Sequence, residues 1–435
     1  MLNKKYYFTI LASCMLLHTT AQAQSTYQTD LRDVGGIEPL AIIDEGMPPH
    51  IGFNRTASEI MFDRQNHVTD KNVQQLKLRQ KLQNGEKILK DKKFTLGGRF
   101  IGHSMYEKTN TDGKFPILSR LPPSHTSNDE DNVNLVSDAS FNMTATLPMV
   151  TAFGQGEYTE SAYKGQDRFS WRKYWVTVGD LDKFPAYLTV GKKSINFGDM
   201  SSYSPFTHSH NAHYFWAQSK EPVVEVGYVD NGWHASGTLI KNDRGLRVLN
   251  SPSNDGNYEN FALNATKRIA LSGDKSVKLG AGYVRGTIYD SSVAHHPPSA
   301  GADDRDWNGA YNLHAVYNTD KYDLMAEFTR TIDEWPATDS EVHALTLQGR
   351  YRDYLWHFPT TYSLMWSEGV QGDRDDEWHK MTQTVLGIES KLLPNMSLGL
   401  EYLLNTGFVP LIMPKITADD GVVSHTAIAG VKVTF

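Results

Sequence analysis

The last eleven residues of the chain, His425 to Phe435, alternate apolar and polar side chains and end on an aromatic residue. Successive side chains of a strand point to opposite faces, so this pattern predicts a β-strand with one apolar and one polar face. Its length suits the tilted crossing of a bilayer in the wall of a transmembrane β-barrel. An edge strand of a soluble β-sandwich would alternate in the same way and remains the alternative. One face carries Ala427, Ala429, Val431, Val433 and Phe435, and the other carries Thr426, Gly430, Lys432 and Thr434, with Ile428 as an apolar exception.

The amino terminus has the features of a secretory signal peptide, which we place at residues 1–23 and exclude from the fold. Two lysines precede a mostly apolar stretch, Tyr6 to Leu17, and Ala21-Gln22-Ala23 forms a small-x-small cleavage site. The alternative is a lipoprotein signal, since Leu11-Ala12-Ser13-Cys14 resembles a lipoprotein box that would lipidate Cys14. Cys14 is the only cysteine, so cleavage after Ala23 would leave a mature chain without disulfides or thiolate metal ligands.

Composition argues against a helical membrane protein. The mean hydropathy is -0.47, and beyond the signal peptide no stretch approaches the roughly 18 consecutive apolar residues that a spanning helix requires. The 34 glycines, 21 tyrosines and 9 tryptophans fit a barrel, in which only alternate residues face lipid and aromatic rings gather at the interfaces. The net charge is -7, or -9 without the two lysines of the signal peptide, and no basic patch stands out, so we expect no nucleic-acid partner.

From Phe94 onward, alternating segments of about ten residues are joined by connections that are long, then short, in regular succession. Long external loops and short periplasmic turns are typical of outer-membrane barrels, so we predict an all-β, antiparallel transmembrane barrel of about 16 strands over residues 94–435. The predicted long connections are Lys108–Asn132, Ser161–Phe169, Asp199–Phe215, Asn242–Asn257, Ser291–Asp306, Asp333–Glu341, Glu368–His379 and Thr406–Val422.

A barrel of this size encloses water, and its predicted inner face is polar with mixed charge. Single charged residues on such a face can simply hydrate the wall, but together they imply an aqueous interior, since unpaired charges in a dry core are costly. The predicted pore-lining residues are Arg99, Lys173, Lys193, Glu225, Glu327, Arg350, Glu401 and Lys432.

Residues 24–93 form a lead before the barrel, irregular at first and with a helical pattern near residues 69–90. We expect a periplasmic tail rather than a plug, because the segment is short and contains nothing like an energy-coupling box. A gating role for this lead is left open.

Catalytic and metal-binding patterns are weak, and we predict no enzyme activity, no cofactor and no metal site. His208-Ser209-His210 with His213 is the densest histidine cluster, but no carboxylate or cysteine in the sequence completes a coordination geometry around it. Acidic clusters such as Asp375-Asp376-Glu377 would lie on external loops, where they could bridge divalent cations to lipopolysaccharide.

The third long connection resembles the corresponding stretch of the LbtU-type siderophore porins, which are outer-membrane proteins. The resemblance lies in Phe197–His208, Phe-Gly-Asp-Met-Ser-Ser-Tyr-Ser-Pro-Phe-Thr-His, followed by His213-Tyr214-Phe215-Trp216. It implies uptake of a ferric siderophore through an unplugged barrel in the Gram-negative outer membrane. It supplies no established ligand residues.

The same connection is rich in aromatic and histidine side chains, which suit recognition of a semi-polar chelate at a pore mouth. Packing against the barrel wall, or membership of the outer aromatic belt, would explain these residues equally well. The predicted substrate-binding residues are Tyr203, Phe206, His208, His210, His213 and Tyr214.

Three functions remain open at this point: a ferric-siderophore channel, a general diffusion porin for small polar solutes, and a structural or adhesive barrel. The expected partners, besides the solute, are outer-membrane lipid and lipopolysaccharide and the barrel assembly machinery, whose sorting signal the terminal Phe435 resembles. Assembly into a homo-oligomer is left open.

Overall fold

The computed structural model describes the barrel together with a short strand before it. The described residues are 51–53 (backbone only), 93–121, 127–161, 167–181, 183–207, 215, 221–241, 258–273, 275–290, 307–411 and 413–435. The predicted signal peptide, Cys14 and the predicted helix near 69–90 lie outside these residues.

The predicted fold class is confirmed: sixteen antiparallel strands, β2 to β17, form one closed barrel in which every strand pairs with its sequence neighbours. The short strand β1 adds to β2 in parallel. The strands are β1 (Ile51–Phe53), β2 (Phe94–Thr109), β3 (Glu130–Leu147), β4 (Val150–Tyr158), β5 (Phe169–Gly179), β6 (Ala186–Lys192), β7 (Val223–Asp230), β8 (Trp233–Lys241), β9 (Tyr258–Ala270), β10 (Ser276–Val284), β11 (Ala310–Asn318), β12 (Tyr322–Trp335), β13 (Ser340–Leu355), β14 (Phe358–Val370), β15 (Lys380–Leu393), β16 (Met396–Phe408) and β17 (Asp419–Thr434).

The described part of the chain contains two single-turn helices, a 3-10 turn at Leu118–Arg120 and α1 at Pro414–Thr417. No helix among the described residues has both the length and the apolar character needed to cross a bilayer.

Long and short connections alternate around the barrel, so its two ends differ. The predicted long connection Asp333–Glu341 is wrong in extent, because β12 and β13 continue through it and leave only a tight turn, 336–339. A β-bulge between Arg330 and Glu334 shifts the pairing register there, which hides the strand from a search for strict alternation.

Alternate residues face outward and inward, as the period of a strand requires. In β16, Leu398, Leu400 and Tyr402 are exposed on the outer surface, whereas Glu401 between them is buried inside. The same alternation on β12 exposes Tyr322 and Leu324. The barrel therefore offers an apolar outer surface of the kind that lipid solvates.

Closure of the barrel depends on the carboxyl-terminal strand. β17 pairs with β2 from Ser424–Thr109 to Thr434–Arg99. The N–H of Phe435 then donates to the Gly98 carbonyl at 3.1 Å, and the N–H of Gly98 donates to the Phe435 carbonyl at 2.9 Å. A Cβ added at Gly98 would lie 2.1 Å from the Phe435 ring, so this ring covers the glycine on the outer face.

β1 pairs with the part of β2 that lies beyond the end of β17, at the closing seam of the barrel, which is the pairing of β17 with β2. Ile51, Gly52 and Phe53 pair in parallel with Phe94, Thr95 and Leu96 at the start of β2. β1 therefore lies at the short-turn end of the barrel and covers backbone of β2 that the last strand is too short to reach.

We expect Phe435→Ala to lower the folded, heat-modifiable fraction of the protein, because it removes the ring that covers Gly98 at the closing seam. A destabilisation of about 1 kcal/mol or more is expected. The measurement is the folded fraction on unheated gels after refolding into detergent or lipid. Phe408→Ala, at the outer end of β16 and away from the seam, is the matched control, and equal losses in the two variants would contradict the role given to Phe435.

Candidate constriction site in the barrel lumen

The third long connection leaves β6 and turns into the barrel instead of rising away from it. We call its residues 193–207 the inner loop; all of them are buried. At its start, the Lys193 ammonium lies 2.5 Å from the Glu225 carboxylate of β7, and that carboxylate also accepts a hydrogen bond from Thr238 at 2.9 Å. Lys173 of β5 donates to the Ser194 hydroxyl at 3.0 Å. The loop thus begins fixed to β5 and β7, the strands on either side of β6.

Farther along, the inner loop meets the wall at β10 to β12. The Glu327 carboxylate of β12 accepts the backbone N–H groups of Asp199, at 2.7 Å, and Met200, at 3.0 Å. Asn312 of β11 donates to the same carboxylate at 2.8 Å. The Asp199 carboxylate in turn lies 2.5 Å from the Lys278 ammonium of β10.

The middle of the inner loop is fixed to β13. The Gln348 side chain accepts the N–H of Tyr203 at 2.9 Å and donates to the carbonyl of Ser201 at 2.6 Å. The Arg350 guanidinium lies 4.5 Å from the centre of the Tyr203 ring, a cation–π contact. Burial raises the pKa of the Tyr203 phenol above its ordinary value, so this side chain stays neutral.

The end of the inner loop is fixed to β16. The Glu401 carboxylate accepts the N–H groups of Phe206 and Thr207, the second at 3.0 Å, and the Thr207 hydroxyl as well. Each of these bonds is charge-assisted, which makes it stronger than a bond between neutral groups.

Glycines on the wall make room for this end of the loop. A Cβ at Gly387 of β15 would lie 2.6 Å from Pro205, and a Cβ at Gly399 of β16 or Gly430 of β17 would lie 2.7 Å from the Phe206 ring. Side chains at these three positions would collide with the loop, so the inner surface of β15 to β17 forms a trough that seats Pro205 and Phe206.

The described first part of the first long connection, residues 110–121, also turns inward, although a polar external loop was expected here. Phe115, Ile117 and Leu118 are buried in one cluster with Phe206 of the inner loop. The Glu107 carboxylate of β2 accepts the N–H of Ile117, at 3.2 Å, and of Leu118, at 2.7 Å. The apolar run at residues 115–118 could have indicated this burial from the sequence, because a solvated loop seldom contains such a run.

Only part of the predicted substrate-binding set lies in the described residues. Tyr203 and Phe206 are in the inner loop, three positions apart. The Arg350 guanidinium of β13 lies over the Tyr203 ring, and the Lys432 ammonium of β17 lies over the Phe206 ring. His208, His210, His213 and Tyr214 lie outside the described residues. Phe215 is described and packs against Tyr289, with the ring centres 5.1 Å apart and the ring planes tilted by 51°.

The predicted pore-lining residues divide into two groups. Lys173, Lys193, Glu225, Glu327 and Glu401 are almost fully buried; Lys193 belongs to the inner loop, and the other four hold the loop against the wall. Arg99, Arg350 and Lys432 keep 12%, 14% and 20% of their side-chain surface exposed, on the inner face at the short-turn end. Gln348 and Arg352 belong to the site but were not singled out from the sequence, because one polar inward position looks like another.

Among the described residues, no group of three or more histidine, cysteine, aspartate or glutamate side chains is placed to hold a metal ion.

Comparison with known proteins bears on the fold. No family model matches the sequence, and no curated protein sequence is detectably similar to it. OprB of Pseudomonas putida matches with a TM-score of 0.54 at 11% identity, covering 82% of this chain and 97% of OprB. An anion-selective porin from Comamonas acidovorans matches with a TM-score of 0.51 at 14% identity, covering 79% of this chain and 99% of that porin. The outer-membrane channel DcaP of Acinetobacter baumannii matches with a TM-score of 0.50 at 14% identity, covering 79% of this chain and 97% of DcaP. The chain therefore has the barrel fold of these channels.

We expect Glu401→Ala to release the end of the inner loop, because it leaves two backbone N–H groups without their acceptor, at a cost of about 1–3 kcal/mol for each. Single-channel conductance in planar bilayers should rise, and proteases should cut within residues 193–207 faster than in the parent protein. The folded yield should stay the same, since the strand ladder is untouched.

The matched control for this variant is Glu389→Ala, which removes the same charge from the inner face of β15. Glu389 bonds to Lys432 and Ser397 and not to the inner loop backbone. Equal conductance changes in the two variants would show that charge, and not anchoring, is responsible.

Proposed function

We propose that this chain is an outer-membrane channel of a Gram-negative cell that takes up a ferric siderophore without a plug or an energy-coupling box. The observation that carries the proposal is the inner loop, whose buried residues are tied to the wall from β5 round to β16. A connection held in this way narrows the lumen and sets which solutes pass, as selectivity elements in channels do.

The segment that resembles the siderophore porins is largely the segment that the wall holds inside. Phe197 to Thr207 belong to the inner loop, and the aromatic residues Tyr203 and Phe206 lie in its second half. Aromatic faces with a few polar partners suit a large semi-polar chelate. We assign ligand contact to Tyr203, Phe206, His208, His210, His213 and Tyr214.

Transport in this proposal runs down a concentration gradient that is maintained by removal of the chelate in the periplasm. The signal peptide accounts for export, and Phe435 is the contact for the barrel assembly machinery. Acidic residues of the outer connections, such as Asp375 and Asp376, would meet lipopolysaccharide through bridging divalent cations.

A general diffusion porin for small polar solutes is the second candidate. It is favoured by the polar, mixed-charge lining of the described wall, which does not by itself specify a chelate. Liposome swelling separates the two, because a general porin admits small sugars at rates set by size alone.

We expect a ferric siderophore to block the single-channel current saturably. Tyr203→Ala and Phe206→Ala should weaken this block by about tenfold, equivalent to 1.4 kcal/mol, while the folded yield is retained. Phe328→Ala, which changes an outward-facing ring on β12, is the control and should leave the block unchanged. Rapid sugar permeation with no block at any siderophore concentration would favour the general porin.

We also propose that the channel is a homo-oligomer whose contact lies on the shortest part of the wall. β6 and β7 have 7 and 8 residues, whereas β3 has 18. A tilted strand of seven residues rises only about 18 Å, less than the roughly 25 Å of an outer-membrane apolar band. The outer surface here also contains a groove of about 680 Å³, lined by residues that include Ala235, Gly237 and Leu263. A second copy would cover both the short wall and the groove.

Cysteine cross-linking tests this contact, since the sequence has one cysteine, Cys14, and it lies in the predicted signal peptide. Val226→Cys, on the outer face of β7, should give a disulfide-linked dimer on oxidation in native membranes. Leu324→Cys, equally exposed but on the tall strand β12, should not. Cross-linking at Leu324 and not at Val226 would place the contact elsewhere.

A further inference from the structure

Four cationic side chains share the inner face between the inner loop and the short-turn end of the barrel. We call them the cationic rim: Arg99 of β2, Arg350 and Arg352 of β13, and Lys432 of β17. Strand period places all four inside, because the neighbouring Phe100, Tyr351 and Val431 belong to the opposite face.

The carboxylates that pair with the rim are fewer than its cations. Arg350 and Arg352 both bind the one carboxylate of Asp323, the first at 2.5 Å. Arg99 lies 2.8 Å from Asp138, and Lys432 lies 2.9 Å from Glu389. Within the described part of the chain, these salt bridges set three carboxylates against four cations, because two arginines share Asp323; Glu401, which also interacts with Lys432, is directed at the backbone of the inner loop.

Exposure separates the two signs further. Asp138 and Asp323 are 0% and 1% exposed, whereas Arg352 and Lys432 keep 26% and 20% of their side-chain surface exposed. Two of the three carboxylates thus lie behind the cations, and the ion pairs point their positive ends into the lumen. Glu389, at 27%, is the one carboxylate of these pairs that is comparably exposed.

The rim also borders the inner loop directly. The Arg350 guanidinium lies 4.5 Å from the Tyr203 ring centre, and the Lys432 ammonium lies 5.5 Å from that of Phe206. Three residues of chain span at most roughly 11 Å, so these two cations flank a single short stretch of the loop. A solute that passes Tyr203 and Phe206 therefore meets positive charge next.

We propose that the cationic rim makes the channel anion-selective and binds solutes that carry several carboxylate or phosphate groups. This inference rests on the proposed channel function but not on the identity of a siderophore. Guanidinium groups match the planar geometry of both kinds of oxyanion, and a lysine adds a point charge. Low-dielectric walls make such charges act strongly on ions within the lumen.

The test is the reversal potential of the full-length channel in a planar bilayer under a KCl gradient. The parent protein should reverse toward the chloride equilibrium potential. Arg352→Gln and Lys432→Gln should each shift that potential toward zero, and the double variant farther. Both variants should fold, because Asp323 keeps Arg350 and Glu389 keeps the hydroxyl of Ser397 as a partner.

Lys267→Gln is the matched control, since Lys267 lies on the outer wall over the Trp233 ring at 5.2 Å and should not affect selectivity. Citrate and inorganic phosphate, added as separate probes, should block the chloride current of the parent channel more strongly than that of the double variant. Sucrose, which is neutral, should affect both equally.

Cation selectivity or no selectivity in the parent channel overturns the proposal, and so does anion selectivity that both rim variants retain. Its failure is distinguishable from failure of the siderophore function. Anion selectivity without any block by ferric siderophore would contradict the siderophore function and support the role of the cationic rim. Siderophore block in an unselective channel would support the siderophore function and contradict the role of the rim.

Discussion

The interior of this barrel depends on a single type of contact, in which a wall carboxylate accepts two successive backbone N–H groups from a connection. Glu107, Glu327 and Glu401 each make it, on β2, β12 and β16. A buried carboxylate is costly unless its lone pairs are filled, and a buried N–H group is costly unless it has an acceptor. Each contact gives the carboxylate its donors and the N–H groups their acceptor. The connections can therefore stay buried inside the barrel although their backbones form no strand ladder.

The trough of glycines and the clusters of apolar side chains complete this arrangement. Gly387, Gly399 and Gly430 lower the inner surface where Pro205 and Phe206 lie, and the ring of Phe206 then packs with the buried Ile117 and Leu118 of the first connection. Two connections thus meet each other as well as the wall. Loosening of one of them would change the surroundings of the other.

The barrel could be predicted from the sequence because its signals are local. Apolar alternation and the regular succession of long and short connections each need only neighbouring residues, and both led to sixteen antiparallel strands. The error at Asp333–Glu341 had a local cause as well, since a bulge breaks the alternation before Trp335. The constriction could not be predicted in the same way. Glu389, Glu327 and Glu401 are all inward-facing carboxylates, and only contacts across more than a hundred residues of sequence distinguish those that hold the inner loop.

Those separations bear on how the molecule reaches its final form. Asp199 precedes its partner Glu327 by 128 residues, and Thr207 precedes Glu401 by 194. Bringing residues so far apart in sequence together costs conformational entropy before their contacts can stabilise the fold. Non-local contacts of this kind therefore slow folding. The start of the inner loop is held by β5 and β7, which are close to it in sequence, but the strands that hold its middle and end, β12, β13 and β16, come far later in the chain. The narrowing of the lumen therefore belongs to the last stage of folding, when the sheet has curled far enough for β16 to face β6, and a barrel arrested earlier would be wide and unselective.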